Sequence, residues 1–273
     1  MEPWLLLHGI RIVVILVGSF ILYKAVKAFI NKTLKVAGVS DRSRSPVAEK
    51  KRKDTLSRIL TLTSRILIII LASLMLMQEV GIPIATLLAG AGIVGIAVGF
   101  GGQYLVRDII SGFFLILENQ YRIGDVVTLD GTSGLVEDIS LRLTTLRDLD
   151  GTVYHVPHGE IKKVANLSKY YANVNLNIGI SYSAKLEHVI EVINRVGNEL
   201  SEDPQWKDSI NKPPQFLRVD DFADSAVIVK ILGETKPLRQ WDVTGELRKR
   251  LKTEFDKEGI EIPFPQRVIH TID

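Results

Sequence analysis

Residues 90–95 read Gly-Ala-Gly-Ile-Val-Gly, a literal G-x-G-x-x-G. In a soluble βαβ unit such glycines let the backbone close around a dinucleotide pyrophosphate. That chemistry needs a strand before the motif, a helix after it, and an acidic residue about 20 positions on. The surroundings deny it that setting, because no charged residue occurs between Ile82 and Val106. Other candidate chemistry is sparse. His155 and His158 flank Val156-Pro157, an extended rather than helical spacing with no third ligand nearby, so no metal is expected. The chain has no cysteine, which excludes disulfides, Cys-ligated zinc and thiol catalysis. Ser181 and Ser183 lack a nucleophile setting, and no paired-carboxylate signature stands out. The sequence predicts neither an enzyme nor a cofactor. Asn31-Lys32-Thr33 and Asn166-Leu167-Ser168 match the glycosylation sequon, but both fall in segments expected to be cytoplasmic.

The elements around the glycines decide what they do. The 273 residues carry 34 Lys plus Arg against 31 Asp plus Glu, a net +3 that argues against a nucleic-acid partner. Mean hydropathy is +0.18 although 24% of residues are charged, so charge and apolar residues are segregated. Three apolar segments account for it: Trp4 to Tyr23, Ile59 to Met77, and a third from near Ile82. Each approaches the roughly 20 residues a membrane helix needs. A secretory signal peptide is the other reading of the first, but no small-residue cleavage site precedes Lys24 and Lys27. Arg11 and Arg65 lie near span ends, where they anchor at the headgroups or sense them. Residues 31–58 hold nine Lys or Arg against three Asp or Glu, marking that loop as cytoplasmic. The N-terminus is then outside, and everything after about residue 119 is cytoplasmic.

At about 100° per residue, Gly92, Gly95, Gly99 and Gly102 fall on one narrow stripe of the third span. Ala89, Ile93 and Ala97 form a second stripe on the other flank, with Ile96 and Phe100 between them. Gln103 and Arg107 continue that middle line. Small residues let membrane helices approach closely. Small flanks on two sides suit head-to-tail packing of copies, which closes into a ring. Ile96 and Phe100 would then face the axis as two apolar rings, a gate that closes by dewetting. A glycine-rich helix packed on the first two spans of its own chain is the alternative, and periodicity leaves both open.

A bend is expected near residues 101–104, with Gly101, Gly102 or Gly112 able to supply it. After it, "YLVRDIISGFFLI" reads as an amphipathic helix. Its Arg107 and Asp108 either couple the pore helix to the cytoplasmic part or are simply solvated at the interface.

Residues 120–168 read as short strands, "DVVTLDG", "SGLVEDI", "LRLTTLRDLDG" and "VYHVPH", with Asp130-Gly131 and Asp150-Gly151 as hairpin turns. Next, "NVNLNIGISY" alternates as a half-buried strand. A helix over 185–200 aligns Leu186, Val189, Ile190, Ile193, Val196 and Leu200. "QFLRV" and "AVIVKIL" are strands, and a helix over 238–258 aligns Val243, Leu247, Leu251 and Phe255. The order β-α-β-β-α suggests a ferredoxin-like α/β layer.

The run "GIAVGFGGQYLVRDIISGFFLILENQYRIGDVV" resembles the pore helix and following strand of the small-conductance mechanosensitive channel (MscS) family. "DGTVYHVPHGEI" is similar to that family's D-G-x-x-x-x-I-P-N-G-x-I stretch. The strong similarity covers roughly residues 82–165. The resemblance implies a membrane protein with three N-terminal transmembrane α-helices, a cytoplasmic Sm-like β domain and a ferredoxin-like α/β domain. The corresponding boundaries are 1–80 for helices 1 and 2, 81–118 for the pore-lining helix, 119–170, 171–262, and a C-terminal strand at 263–273. It implies a homoheptamer in the plasma membrane, opened by tension, poorly selective, and releasing ions and small solutes on hypo-osmotic shock. Lipids and permeating ions are its other expected partners. By position it carries the constriction onto Ile96 and Phe100, where the family usually has leucines. Helix packing falls on Gly92, Gly95 and Gly99 against Ala89 and Ala97. Three positions depart from the family pattern: Ile93 replaces an alanine, Tyr104 a hinge glycine, and His158 an asparagine. A membrane-anchored sensor whose cytoplasmic domain binds a ligand is the rival reading.

Overall fold

The structure is a computed structural model that describes residues 2–36 and 46–267. It opens with helices α1 (Glu2–Val36), α2 (Pro46–Glu79) and α3 (Ala85–Leu117). All three are long and apolar enough to cross a membrane. They outrun their apolar segments: the 35 residues of α1 span about 50 Å, against about 30 Å of hydrocarbon. The basic segment read as a loop over 31–58 is therefore largely helical. Lys32 and Lys35 lie on α1, and Lys50, Lys51, Arg52, Lys53 and Arg58 lie on α2. Lys, Arg and Glu are good helix formers, and Pro46 suits a first helical position. Arg42 and Arg44 lie outside the described residues. The chain forms two compact units, Met1–Gly101 and Gly102–Asp273.

In the first unit α1 packs along α2. Glu79, at the end of α2, accepts hydrogen bonds from Arg11 (3.3 Å) and pairs with His8. Helix α2 stops in a Schellman turn: Ile82 N–H reaches Met77 O at 2.9 Å and Gly81 N–H reaches Gln78 O at 3.1 Å. Gly81 supplies the φ of +85° that this turn requires. Residues 101–104, where a bend is expected, are helical within an uninterrupted α3. Glycine lowers helix propensity but keeps its N–H, so the i→i−4 ladder runs through it, unlike proline. Any bend there is a curvature of an unbroken helix.

In the second unit β1 (Val126–Leu129), β2 (Thr132–Ile139), β3 (Leu143–Arg147), β4 (Val153–Pro157) and β5 (Val164–Asn166) form an antiparallel sheet in the order β4-β3-β2-β1-β5. Asp130 and Gly131 both adopt positive φ (45° and 92°), the backbone of a two-residue hairpin. Val127, Leu129, Val136 and Leu146 fill the core with Leu115 of α3 and Tyr121. Strand β5 was not expected, because three residues carry no legible period.

The α/β layer follows the expected order: β6 (Ala172–Ile180), α4 (Leu186–Glu202), β7 (Ile210–Phe222), β8 (Val227–Thr235) and α5 (Gln240–Glu258). Its sheet runs β6-β8-β7, and both helices bury their apolar faces against it. Helix α5 ends on Gly259 in the left-handed region. Residues 263–267 carry no strand, and residues 268–273 of the expected C-terminal strand lie outside the described residues.

Candidate functional site

The membrane part of α3 presents its small residues to open space. A methyl group on Gly90, Gly92, Gly95 or Gly99 would meet no atom of a neighbouring element within 4 Å. Ala89 and Ala97 are exposed as well. Within this unit neither α1 nor α2 comes within 4 Å of a methyl group placed on these glycines. Ile96 and Phe100 are 61% and 71% exposed and stand one turn apart, about 6 Å along the axis. Ile93 is just as open. Exposed apolar side chains of this kind recur on α1 and α2, as expected of helices long and apolar enough to cross a membrane.

The C-terminal end of α3 is different. Arg107 is exposed, and its guanidinium lies over the ring of Tyr104 at 5.0 Å. Asp108 is only 6% exposed and is held by the second unit's own backbone and side chains. Its Oδ1 accepts the Gly159 N–H at 2.9 Å, and its Oδ2 accepts from Arg142 Nη1 at 3.4 Å. Gly112, one turn further on, is buried against the 3₁₀ turn His158–Glu160. A Cβ there would lie 2.2 Å from both His158 Nδ1 and the Leu141 carbonyl oxygen. The glycine is what allows helix and turn to touch. A side chain on Gly159 would likewise strike Asp108 Oδ1 at 2.5 Å.

His158 is 1% exposed and uses all its polar atoms. Its N–H donates to Arg142 O at 2.9 Å, and its ring nitrogens meet Leu141 O at 3.3 Å and Thr144 Oγ1 at 2.8 Å. A carbonyl only accepts, so Nδ1 carries the proton and Nε2 accepts from the Thr144 hydroxyl. Tyr121 Oη completes the chain 2.7 Å from Thr144 Oγ1. Burial pushes the His158 ring below the ordinary histidine pKa, against the opposing pull of Leu141 O and the Asp108 charge. Burial also raises the Tyr121 phenol, with the Thr144 bond opposing. His155 faces elsewhere, with Nδ1 3.2 Å from Thr145 Oγ1. The two histidines therefore share no ligand position.

Tyr121, Leu141, Arg142 and Thr144 belong to this site but carry no local signal in the sequence. The sequence pointed toward it through Arg107 and Asp108 as candidate couplers, Gly112 as a bend candidate, and the Pro157-His158-Gly159 stretch.

The comparisons with known proteins cover the same elements. Family descriptions match in three consecutive blocks: "Mechanosensitive ion channel, transmembrane helices 2/3" at residues 63–103, "Mechanosensitive ion channel, beta-domain" at 104–169, and "Mechanosensitive ion channel MscS, C-terminal" at 174–262. A "Small-conductance mechanosensitive channel" of Caldanaerobacter subterraneus subsp. tengcongensis is 35% identical over 228 residues, covering 83% of this chain and 80% of that protein. The fold is similar to closed-state MscS of Helicobacter pylori, with a TM-score of 0.72 at 23% identity, covering 97% of this chain and 98% of that one. It is also similar to MSL1 of Arabidopsis thaliana, with a TM-score of 0.63 at 15% identity, covering 94% and 88% of the two chains. With three successive blocks matched and a relative aligned over most of both lengths, the chain belongs to the MscS family of mechanosensitive channels.

Proposed function

We propose that this protein is a mechanosensitive channel of the plasma membrane, opened by membrane tension. The observation that carries the reading is the membrane part of α3: it is charge-free from Ala85 to Val106, and a methyl group on its glycine flank would meet no other element of the unit. Copies packing head to tail through those flanks close a ring, and the family resemblance makes that ring a homoheptamer. Ile96 and Phe100 then face its axis. Two apolar rings about one turn apart exclude water from a narrow pore. Residues 1–80 carry the two lipid-facing helices and the basic cytoplasmic segment, 81–118 the pore helix, and 119–170 and 171–262 the cytoplasmic domains. The nine-to-three excess of basic residues over 31–58 supports an outside N-terminus and a cytoplasmic C-terminal part.

The open ring occupies more membrane area than the closed one, so tension favours it through a free-energy difference between two states. Movement of α3 separates the Ile96 and Phe100 rings and lets water and ions through. No charged ring stands at the constriction, so the flux is fast and poorly selective, suited to releasing small solutes on hypo-osmotic shock. The role is transport rather than catalysis.

The test is reconstitution in liposomes and recording from excised patches under stepped suction. Stepwise currents whose open probability rises with tension are expected. Silence up to patch rupture, from protein shown to be assembled, would refute the channel and favour a membrane-anchored sensor.

A further inference from the structure

We propose that His158 is a pH-sensitive latch between the cytoplasmic end of α3 and the β domain, holding when neutral and releasing when protonated. The latch itself is a property of the second unit. Its effect on gating rests on the channel reading.

The geometry favours the neutral ring. Nδ1–H is committed to Leu141 O, so Nε2 is an acceptor, Thr144 O–H donates to it, and Tyr121 O–H donates to Thr144. Every proton in this chain points the same way. Protonation adds an N–H at Nε2 that faces the Thr144 hydroxyl proton. To accommodate it, Thr144 must turn its proton toward Tyr121, and Tyr121 must turn its own away. The Tyr121 hydroxyl has Thr144 as its one hydrogen-bond partner among the described residues, and the residue is 3% exposed. A reversed chain therefore strands a buried donor, a costly arrangement. The ring has no slack either, since its Nδ1 lies against the backbone of α3 where Gly112 leaves no room for even a methyl group. Relief comes when the ring leaves its nest, and with it goes one of the contacts that seat α3, beside Leu115 and the Asp108–Gly159 bond.

The surrounding charges do not reverse this preference. From α3, Asp108 favours a cationic ring, but its carboxylate is already engaged by Gly159 N–H and Arg142. Arg107 of α3 lies beside Gly159, and Arg142, which follows Leu141, already pairs with Asp108. Glu160 in the same turn and His155 on β4 are exposed. Tyr121 is the remaining titratable neighbour and is neutral at these pH values. Burial outweighs the Asp108 attraction, so the ring binds its proton less readily here than in water.

The sign follows from linkage. A group whose native pKa is lowered stabilises the native contact above its free value, about 6.5 for histidine, and loses that stabilisation as pH falls below it. At about pH 5.5 the released state gains at most about ten-fold over neutral pH, the limit for a latched ring that takes up no proton.

The experiment uses the full chain in liposomes. Amide hydrogen exchange of segments 105–118 and 141–162 is compared between wild type and His158→Asn, at about pH 7.5 and about 5.5. Asparagine offers one donor and one acceptor, as the neutral ring does, and does not titrate. Comparison at equal pH cancels intrinsic exchange rates. The wild-type to H158N exchange ratio should rise several-fold, up to about ten-fold, on acidification; an equal ratio at both pH values would overturn the latch. If H158N fails to fold, wild type alone decides. Exchange in these segments must then rise in acid relative to the Val229–Ile231 core, and a parallel change would overturn the proposal. In inside-out patches, acid on the cytoplasmic face should shift the wild-type opening tension and leave H158N unmoved. A released latch with unmoved tension would overturn the gating consequence. Patches silent at both pH values would count against the channel, with the exchange result standing by itself.

Discussion

Replacing Gly112 with alanine sets two opposed effects against each other in one side chain. On helix propensity alone the change should stabilise α3 by about 1 kcal/mol. The structure predicts the reverse. The added methyl would lie 2.2 Å from His158 Nδ1 and 2.2 Å from Leu141 O, and 3.0 Å from His158 Cε1. Ordinary contact needs more than an ångström beyond the two closest of these distances. The imidazole would have to move, losing its bonds to Leu141 O and Thr144 at about 1 kcal/mol each, and the carbonyl belongs to the backbone and yields poorly. Overpacking of this kind costs about 1–3 kcal/mol. After subtracting the propensity gain, the contact between α3 and the β domain should weaken by about 2–4 kcal/mol, a shift in local opening of roughly thirty-fold or more. Hydrogen exchange of segments 105–118 and 141–162 reads that quantity directly. Adding His158→Ala should relieve only part of the loss, because the Leu141 carbonyl remains. Exchange in Gly112→Ala that is unchanged or slower than wild type would refute the argument, showing that propensity outweighs the close approach.

Other perturbations separate the remaining claims. Phe100→Ser and Ile96→Ser each remove an apolar side chain worth about 1.5–3 kcal/mol of water exclusion per subunit, so both should lower the opening tension in patches; wild-type thresholds in both would remove these residues from the constriction. A Cβ on Gly95 meets no atom of a neighbouring element, so in Gly95→Leu the fold of the β and α/β domains should be intact by circular dichroism while the oligomer seen by native mass spectrometry is lost. A normal oligomer would end the assignment of that flank to a subunit contact. Asp108→Asn keeps an acceptor for Gly159 N–H and loses only a half-exposed pairing with Arg142, costing less than about 1 kcal/mol. Asp108→Leu strands that buried N–H and should cost about 1–3 kcal/mol more. Equal exchange in the two variants would mean that the backbone bond contributes nothing.

Apolar length, charge segregation and residue period are local properties, and the sequence alone carried them. Ile82 to Val106 without a charge announced a membrane helix, and that context ruled out the nucleotide reading of Gly90 to Gly95. Alternation in 173–182 and helical spacing at Val243, Leu247, Leu251 and Phe255 placed strand and helix, because each residue's partners are its own near neighbours. Where a feature depended on distant residues, local reading ended. Nothing around Gly112 indicates that its lost side chain makes room for His158 and Leu141, and nothing around Asp108 names Gly159, 51 positions away. Charged residues at the end of a span suit a solvated interface as well as a buried one. That choice is made by how α3 seats on the sheet, through Leu115 and Tyr121 packing with Val127, Leu129, Val136 and Leu146. Core packing sets that register to within fractions of an ångström, and only the folded chain brings the histidine, the glycine and the carboxylate together.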